Sequence, residues 1–276
     1  MNKNYSTSID SQYSSGSIEA EINRVLETEG KKLADLTLSD LAAMDEIHIG
    51  GRKATLSLAA KANLSKKNTV LDVGAGIGGP ARTLAANFDC QVTGLDLTKE
   101  YCQIAELLTQ TVGLEEKVTF HQADALDMPF ENESFDTVWS QHCSMNIENK
   151  ALFYEEIFRV LEKGGRLIIH DTLANSGEHL DYPVPWASQS NLNFLNTETD
   201  MQSIISNLGF KQKHWQDKTE EAIAFYQKLI VVTQKGKMPA LNVKLILKTD
   251  PLIFAENMIK NLSKDKISVV EAIYQK

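Results

Sequence analysis

Three carboxylates, each closing an apolar run, are the residues of this chain best suited to chemistry. Asp72 lies in Val70-Leu71-Asp72-Val73, Asp96 in Val92-Thr93-Gly94-Leu95-Asp96-Leu97, and Asp124 in Gln122-Ala123-Asp124-Ala125-Leu126. The first run opens into Gly74-Ala75-Gly76-Ile77-Gly78-Gly79, where missing side chains let backbone approach a ligand. Asp96 follows that loop by about 20 residues, the spacing at which an acid accepts from both hydroxyls of a ribose. Asp124, at the end of a third strand, is placed to accept from an adenine amino group. Together these groups describe a site for an adenosine-containing ligand.

Two such ligands compete. Gly74-x-Gly76-x-x-Gly79 fits the dinucleotide fingerprint, which makes an NAD-binding oxidoreductase one reading. Against it, Asp72 puts a carboxylate inside the strand end, which suits a ligand carrying an ammonium and a sulfonium. Pro80 removes an N–H from the first helical turn, where a pyrophosphate would use it. No Tyr-x-x-x-Lys pair for hydride transfer was found. The balance favours S-adenosyl-L-methionine over NAD.

A second group of polar side chains follows the apolar run at Phe135–Trp139: Gln141-His142-Cys143-Ser144-Met145-Asn146. In an open parallel sheet, ligands bind beyond the carboxyl ends of the strands. His142 there is a candidate general base or positioning group, the Gln141 carbonyl an acceptor for the cofactor's methionine ammonium, and Asn146 a substrate contact. Trp186, in Tyr182-Pro183-Val184-Pro185-Trp186, is either an aromatic wall for a methylammonium or a packing residue. Tyr13 is a candidate lid residue. The remaining histidines, His121, His179 and His214, are scattered. No His, Cys or carboxylate cluster has metal-ligand spacing, so no metal is expected.

The motifs as a set resemble those of class I S-adenosylmethionine-dependent methyltransferases: Leu71-Asp72-Val73-Gly74-Ala75-Gly76-Ile77-Gly78-Gly79, then Val92-Thr93-Gly94-Leu95-Asp96-Leu97-Thr98, then Gln122-Ala123-Asp124-Ala125-Leu126-Asp127-Met128-Pro129-Phe130. The resemblance spans roughly residues 40–220. Trp139–Ile147 and Asp45–Gly51 look most like sarcosine/dimethylglycine methyltransferases and their bacterial relatives. Phosphoethanolamine enzymes share the Gly-Gly entry loop but carry a histidine near the position of Asn146, so that role does not transfer. The resemblance implies S-adenosyl-L-methionine as cofactor, S-adenosyl-L-homocysteine as product, and cofactor contacts from Asp72, Gly74, Gly76, Asp96, Leu97, Asp124, Ala125 and Gln141. It adds His48 to His142 as a catalytic candidate. It implies a Rossmann-like α/β fold with a seven-stranded, mostly parallel sheet and an antiparallel seventh strand. The expected reaction is methyl transfer to a small-molecule amine. O- or C-methylation and a catalytically silent cofactor-binding subunit remain alternatives.

Composition bounds the reading. The chain has 276 residues, 42% of them hydrophobic, enough for one large α/β core with appendages. Its formal charge of −9 makes a nucleic-acid backbone an unlikely partner. No apolar run approaches membrane-spanning length, and the polar start Met1–Ser6 lacks a signal peptide's apolar segment. With the odd thiols Cys90, Cys102 and Cys143, these features predict a cytoplasmic monomer or homodimer with reduced cysteines.

The elements that must hold these residues follow from periodicity. Residues 1–16 are polar and predict a tail or lid. From Ser17 to about Leu64 the pattern is helical, and residues 1–64 are expected to form a cap on a binding domain at 65–276. Strands and helices alternate from Asn68 to Asp171, which predicts a parallel sheet with right-handed crossovers. Thr197–Asp200 predicts a capped helix stopped at Gly209, and Phe210–Trp215 a sixth strand. Glu220–Val232 and Ala240–Leu262, interrupted at Asp250-Pro251, predict a helical insertion of about 220–262 before a seventh strand at Ile267–Tyr274.

Overall fold

The computed structural model describes residues 18–175, 177–247 and 249–276. The described residues form a seven-stranded sheet in the order β3-β2-β1-β4-β5-β7-β6. The strands are β1 (Thr69–Val73), β2 (Gln91–Asp96), β3 (Val118–Gln122), β4 (Phe135–Gln141), β5 (Leu161–Ala174), β6 (Lys211–Asp217) and β7 (Ile267–Gln275). β1, β2 and β3 pair in parallel, as do β4 and β5, whereas β7 runs antiparallel to both β5 and β6. The expected Rossmann-like sheet and its reversed last strand are therefore present. The described elements divide into two compact units, one up to Asp124 together with 237–247, the other Ala125–Gly236 with 249–276.

In the first unit the helical stretch resolves into α1 (Ile18–Thr28), α2 (Leu38–Asp45) and α3 (Gly51–Lys61). Each break has a local cause. Gly30 adopts φ 65° after α1, Thr37 accepts from the Asp40 amide to start α2, and Gly50 at φ 80° starts α3. Ile18, Ile22 and Leu26 share one buried face of α1 and pack with Leu41 and Met44 of α2. Ile104 and Leu108, from α5 (Lys99–Thr111), join the same cluster. The α1 end is tied down remotely, since the Ile18 amide donates to Glu100 Oε1 at 3.0 Å. Ser17, the cap expected from sequence, lies outside the described residues, as do Tyr13 and the tail.

In the second unit α6 (Lys150–Val160) passes directly into β5, and Gly164 at φ 80° lets that long strand turn against the C-terminal residue, whose carbonyl accepts from its amide. A register shift between Phe135 and Thr137 absorbs the extra residues. The sixth strand sits one residue later than expected and runs to Asp217. Between β6 and β7 lie α8 (Thr219–Gln234) and α9 (Pro251–Ser263), which pack on each other through Tyr226 and Phe254. Asp250 caps α9 by accepting from the Leu252 amide, with Pro251 in the first turn. The preceding helix α7 (Glu198–Asn207) starts on Thr197, which accepts from the Asp200 amide at 3.1 Å.

Candidate functional site

The glycine loop is shaped by hydrogen bonds as much as by its lack of side chains. Gly74 and Ala75 both donate to the Leu95 carbonyl at 2.8 and 3.1 Å, which turns the chain sharply after β1. Gly74, Gly76 and Gly78 all have positive φ, at 77°, 55° and 83°. A Cβ on Gly76 would meet no atom within 4 Å, so its requirement is conformational, and its open side leaves backbone exposed for a ligand. Gly79 differs: a Cβ there would strike the Asp45 carbonyl, so this glycine admits the end of α2. Pro80 sits in the first turn of α4 (Gly79–Phe88).

Asp96 bridges this loop to the next helix. Its Oδ2 accepts from the Gly76 amide at 2.8 Å and its Oδ1 from the Thr98 amide at 2.9 Å. Burial pushes this carboxyl above its ordinary value, and those amides pull it back. The Asp96 carbonyl accepts from Ala123, so the segment bearing Asp124 runs alongside, with Leu97 half-buried and its carbonyl held by Gln122. Ala125 follows in a turn of the second unit.

Asp72 is different in kind. Its Oδ2 is buried without a hydrogen-bond partner, and the residue is 1% exposed. Desolvation first, then the charges of Glu46 and Asp96, push it up to about 8. A buried acceptor left open is costly unless something completes it. An ammonium is the group that would complete this one, so the residues present fit the methionine end of S-adenosylmethionine.

His48 stands beside this acidic group. Its Nε2 lies 2.7 Å from Glu46 Oε2 and 3.0 Å from Thr55 Oγ1, and its Nδ1 lies 3.2 Å from the Ile49 carbonyl. Glu46 also accepts from Thr55 and Thr83, and His48 first, then these hydroxyls, hold it below the usual carboxylate range despite burial. A second buried pair, Arg82 with Asp45 at 2.7 Å, pins α4 to the end of α2. Sequence reasoning missed Glu46, Asp45 and Arg82 as site-building residues. The signals were the Asp45–Gly51 stretch of the resemblance for the two acids and, for Arg82, a charge among apolar residues.

The second unit carries the other candidates. His142 adopts φ 50°, a left-handed conformation uncommon for a side-chain-bearing residue, and its amide donates to the His170 carbonyl at 2.8 Å. Its ring meets His170 edge-on at 4.7 Å. The Gln141 side chain is committed to Trp139 Nε1 at 2.9 Å and His170 Nδ1 at 3.2 Å. Asn146 donates to the carbonyls of Trp186 (2.8 Å) and Leu192 (3.3 Å), and the buried Trp186 indole donates to Asn193. Asn146 and Trp186 thus tie the loop after β4 to the loop after β5. Beneath them Lys150 donates to the Ile147 and Phe194 carbonyls, and burial lowers it to about 8. Asp171, fully buried beside Ser144, is raised to about 6 by burial.

Residues 71–169 match the family model of the methyltransferase domain. The chain is 26% identical over 190 residues to glycine/sarcosine/dimethylglycine N-methyltransferase of Actinopolyspora halophila, covering 69% of this chain and 34% of that protein. It is 40% identical over 125 residues to chloroplastic tocopherol O-methyltransferase of Arabidopsis thaliana, covering 44% and 35%. The chain spans about a third of the length of either relative. Among solved structures, Haemonchus contortus phosphoethanolamine N-methyltransferase 2, in complex with phosphomonomethylethanolamine and S-adenosylhomocysteine, superposes with a TM-score of 0.72. That match has 22% identity and covers 84% of this chain and 54% of the other, a likeness of fold. Residues 71–169 thus match a methyltransferase domain, and the chain shares the fold of that methyltransferase structure.

Proposed function

We propose that the protein transfers a methyl group from S-adenosyl-L-methionine to a small-molecule acceptor, an amine of the sarcosine/dimethylglycine kind, leaving S-adenosyl-L-homocysteine. The observation that carries the reading is the buried, unpartnered Asp72 carboxylate beside a loop whose Gly76 amide is anchored by Asp96. Asp72 receives the ammonium, Asp96 the ribose hydroxyls and Asp124 the adenine amino group, with Gly74, Gly76, Leu97, Ala125 and the Gln141 carbonyl as backbone walls. Bound cofactor supplies a methyl already activated on a sulfonium. What remains for the protein is to hold the nucleophile in line at about 3 Å and to exclude water. His142 holds or removes the acceptor's proton, His48 steadies Glu46, and residues 1–64 act as the cap. O-methylation is the second reading, supported by the similarity to a tocopherol O-methyltransferase.

The test is a turnover screen. Purified protein with S-adenosylmethionine is offered small amines, amino acids and phenols, and S-adenosylhomocysteine is quantified. Release with an amine alone supports the first reading and release with a phenol alone the second. Binding of NAD in preference to S-adenosylhomocysteine overturns both.

A further inference from the structure

We propose that the site takes in the cofactor's ammonium in exchange for a proton: Asp72 is a neutral carboxylic acid in the free protein and yields its proton to solvent when the cation arrives, against the fixed negative charge of Glu46. This rests on the cofactor reading above and deepens it.

The geometry leaves Asp72 as the one place for that proton. Among the described residues two other ionisable groups act on it, Glu46 just after α2 and Asp96 at the end of β2, and both are acids. Each has donors of its own. Glu46 takes hydrogen bonds from Thr55 and Thr83 and pairs with His48, whereas Asp96 takes the Gly76 and Thr98 amides. Asp72 has a buried oxygen with none. Among three acids in a dry region, ionisation falls to those with donors and protonation to the one without. An incoming ammonium reverses the preference for Asp72, because a cation at hydrogen-bond distance supplies both charge and donors. The carboxyl O–H bond breaks, the proton goes to buffer, and the ammonium N–H groups take its place.

The experiment is calorimetry with S-adenosylhomocysteine at pH 6.5 in two buffers of different ionisation enthalpy. The ligand's own amine, ordinarily near 7.7–8.0 as an α-amino group, is already charged there. The expected result is release of about one proton per site, since Asp72 sits near 8. The dissociation constant should fall about tenfold per pH unit from pH 5.5 to 7, the slope of one proton released. Asp72→Asn, nearly isosteric with the neutral acid, should release no proton and show a flat dependence. Glu46→Gln should move the upper end of the slope to lower pH. Binding with no proton release by the wild type, or the same slope in Asp72→Asn, overturns the exchange and leaves the cofactor reading standing. No binding at any pH overturns that reading itself. Should Asp72→Asn fail to fold by circular dichroism, the wild-type proton count decides alone.

Discussion

At the scale of single residues, Asp96 has two duties in this fold. It is the proposed ribose acceptor, and it already holds the Gly76 and Thr98 amides. Asp96→Ala should weaken S-adenosylhomocysteine binding by about 1.5–3 kcal/mol, roughly 10- to 150-fold. Titration calorimetry with the fold checked by circular dichroism reads this out, and an unchanged dissociation constant removes Asp96 from the ribose. His142 poses a sharper question, because ring and backbone can be separated. If its imidazole removes the acceptor's proton, His142→Gln should cost about 10²–10⁴-fold in kcat/KM and abolish the ionisation in the pH profile. Cofactor affinity should be nearly unchanged. His142→Gly keeps the left-handed backbone without strain, so it should lose the same activity while unfolding no more easily than the wild type. A rate drop with an unaltered profile assigns the ring to positioning. Full activity in both variants removes it from the chemistry.

At the scale of elements, the Asp45–Arg82 pair adds a brace to the glycine loop by joining α2 to α4. Arg82 also donates to the Ile77 and Ala105 carbonyls, so one guanidinium braces the loop and α5 together. Breaking such a pair leaves a buried charge behind. Arg82→Leu should therefore destabilise by about 3–5 kcal/mol, and Asp45→Leu combined with Arg82→Leu by much less than the sum. Urea unfolding of the three variants tests this, and simple additivity would show that the two side chains act independently. The pair also shows where sequence reading stops. The strand–glycine–helix units at Val70–Leu84 and Gln91–Leu97 were legible because their signals are local: apolar runs, glycines and a first-turn proline. The reversed β7 was legible from its β-branched run and the family likeness. Arg82 and Asp45 are 37 residues apart, and nothing in either neighbourhood marks them as partners. Likewise Asn146 read as a substrate contact and Trp186 as either an aromatic wall or a packing residue, and the partners that hold them, up to 46 residues away across two loops, lay outside any local reading.

At the scale of the whole molecule, the buried ionisable groups give stability an unusual pH dependence. Asp72 and Asp171 sit near 8 and 6, against about 3.9 in an unfolded chain. Between those values the folded protein binds more protons than the unfolded one, so stability falls as pH rises from about 4 to 8. Lys150 has the opposite consequence over a higher range. It is lowered from 10.5 to about 8, so from about 8 to 9 the unfolded chain binds the extra proton and stability rises again, and above 9 the Cys102 thiol, pushed up to about 12 by burial, offsets the further gain. Asp40, Glu156 and Asp181, each held low by a hydrogen-bonding neighbour, act only below about 4.5 and leave this range untouched. The free protein should therefore show a stability minimum near pH 8, flanked by higher urea midpoints at pH 5.5 and 9.5. Asp72→Asn should shallow the acid side and Lys150→Met the alkaline side, while saturating S-adenosylhomocysteine should lift the minimum most, because it occupies Asp72 in its charged form. A midpoint that rises steadily from pH 5.5 to 8 in the free wild type would show that these carboxyls are ionised and paired in solution.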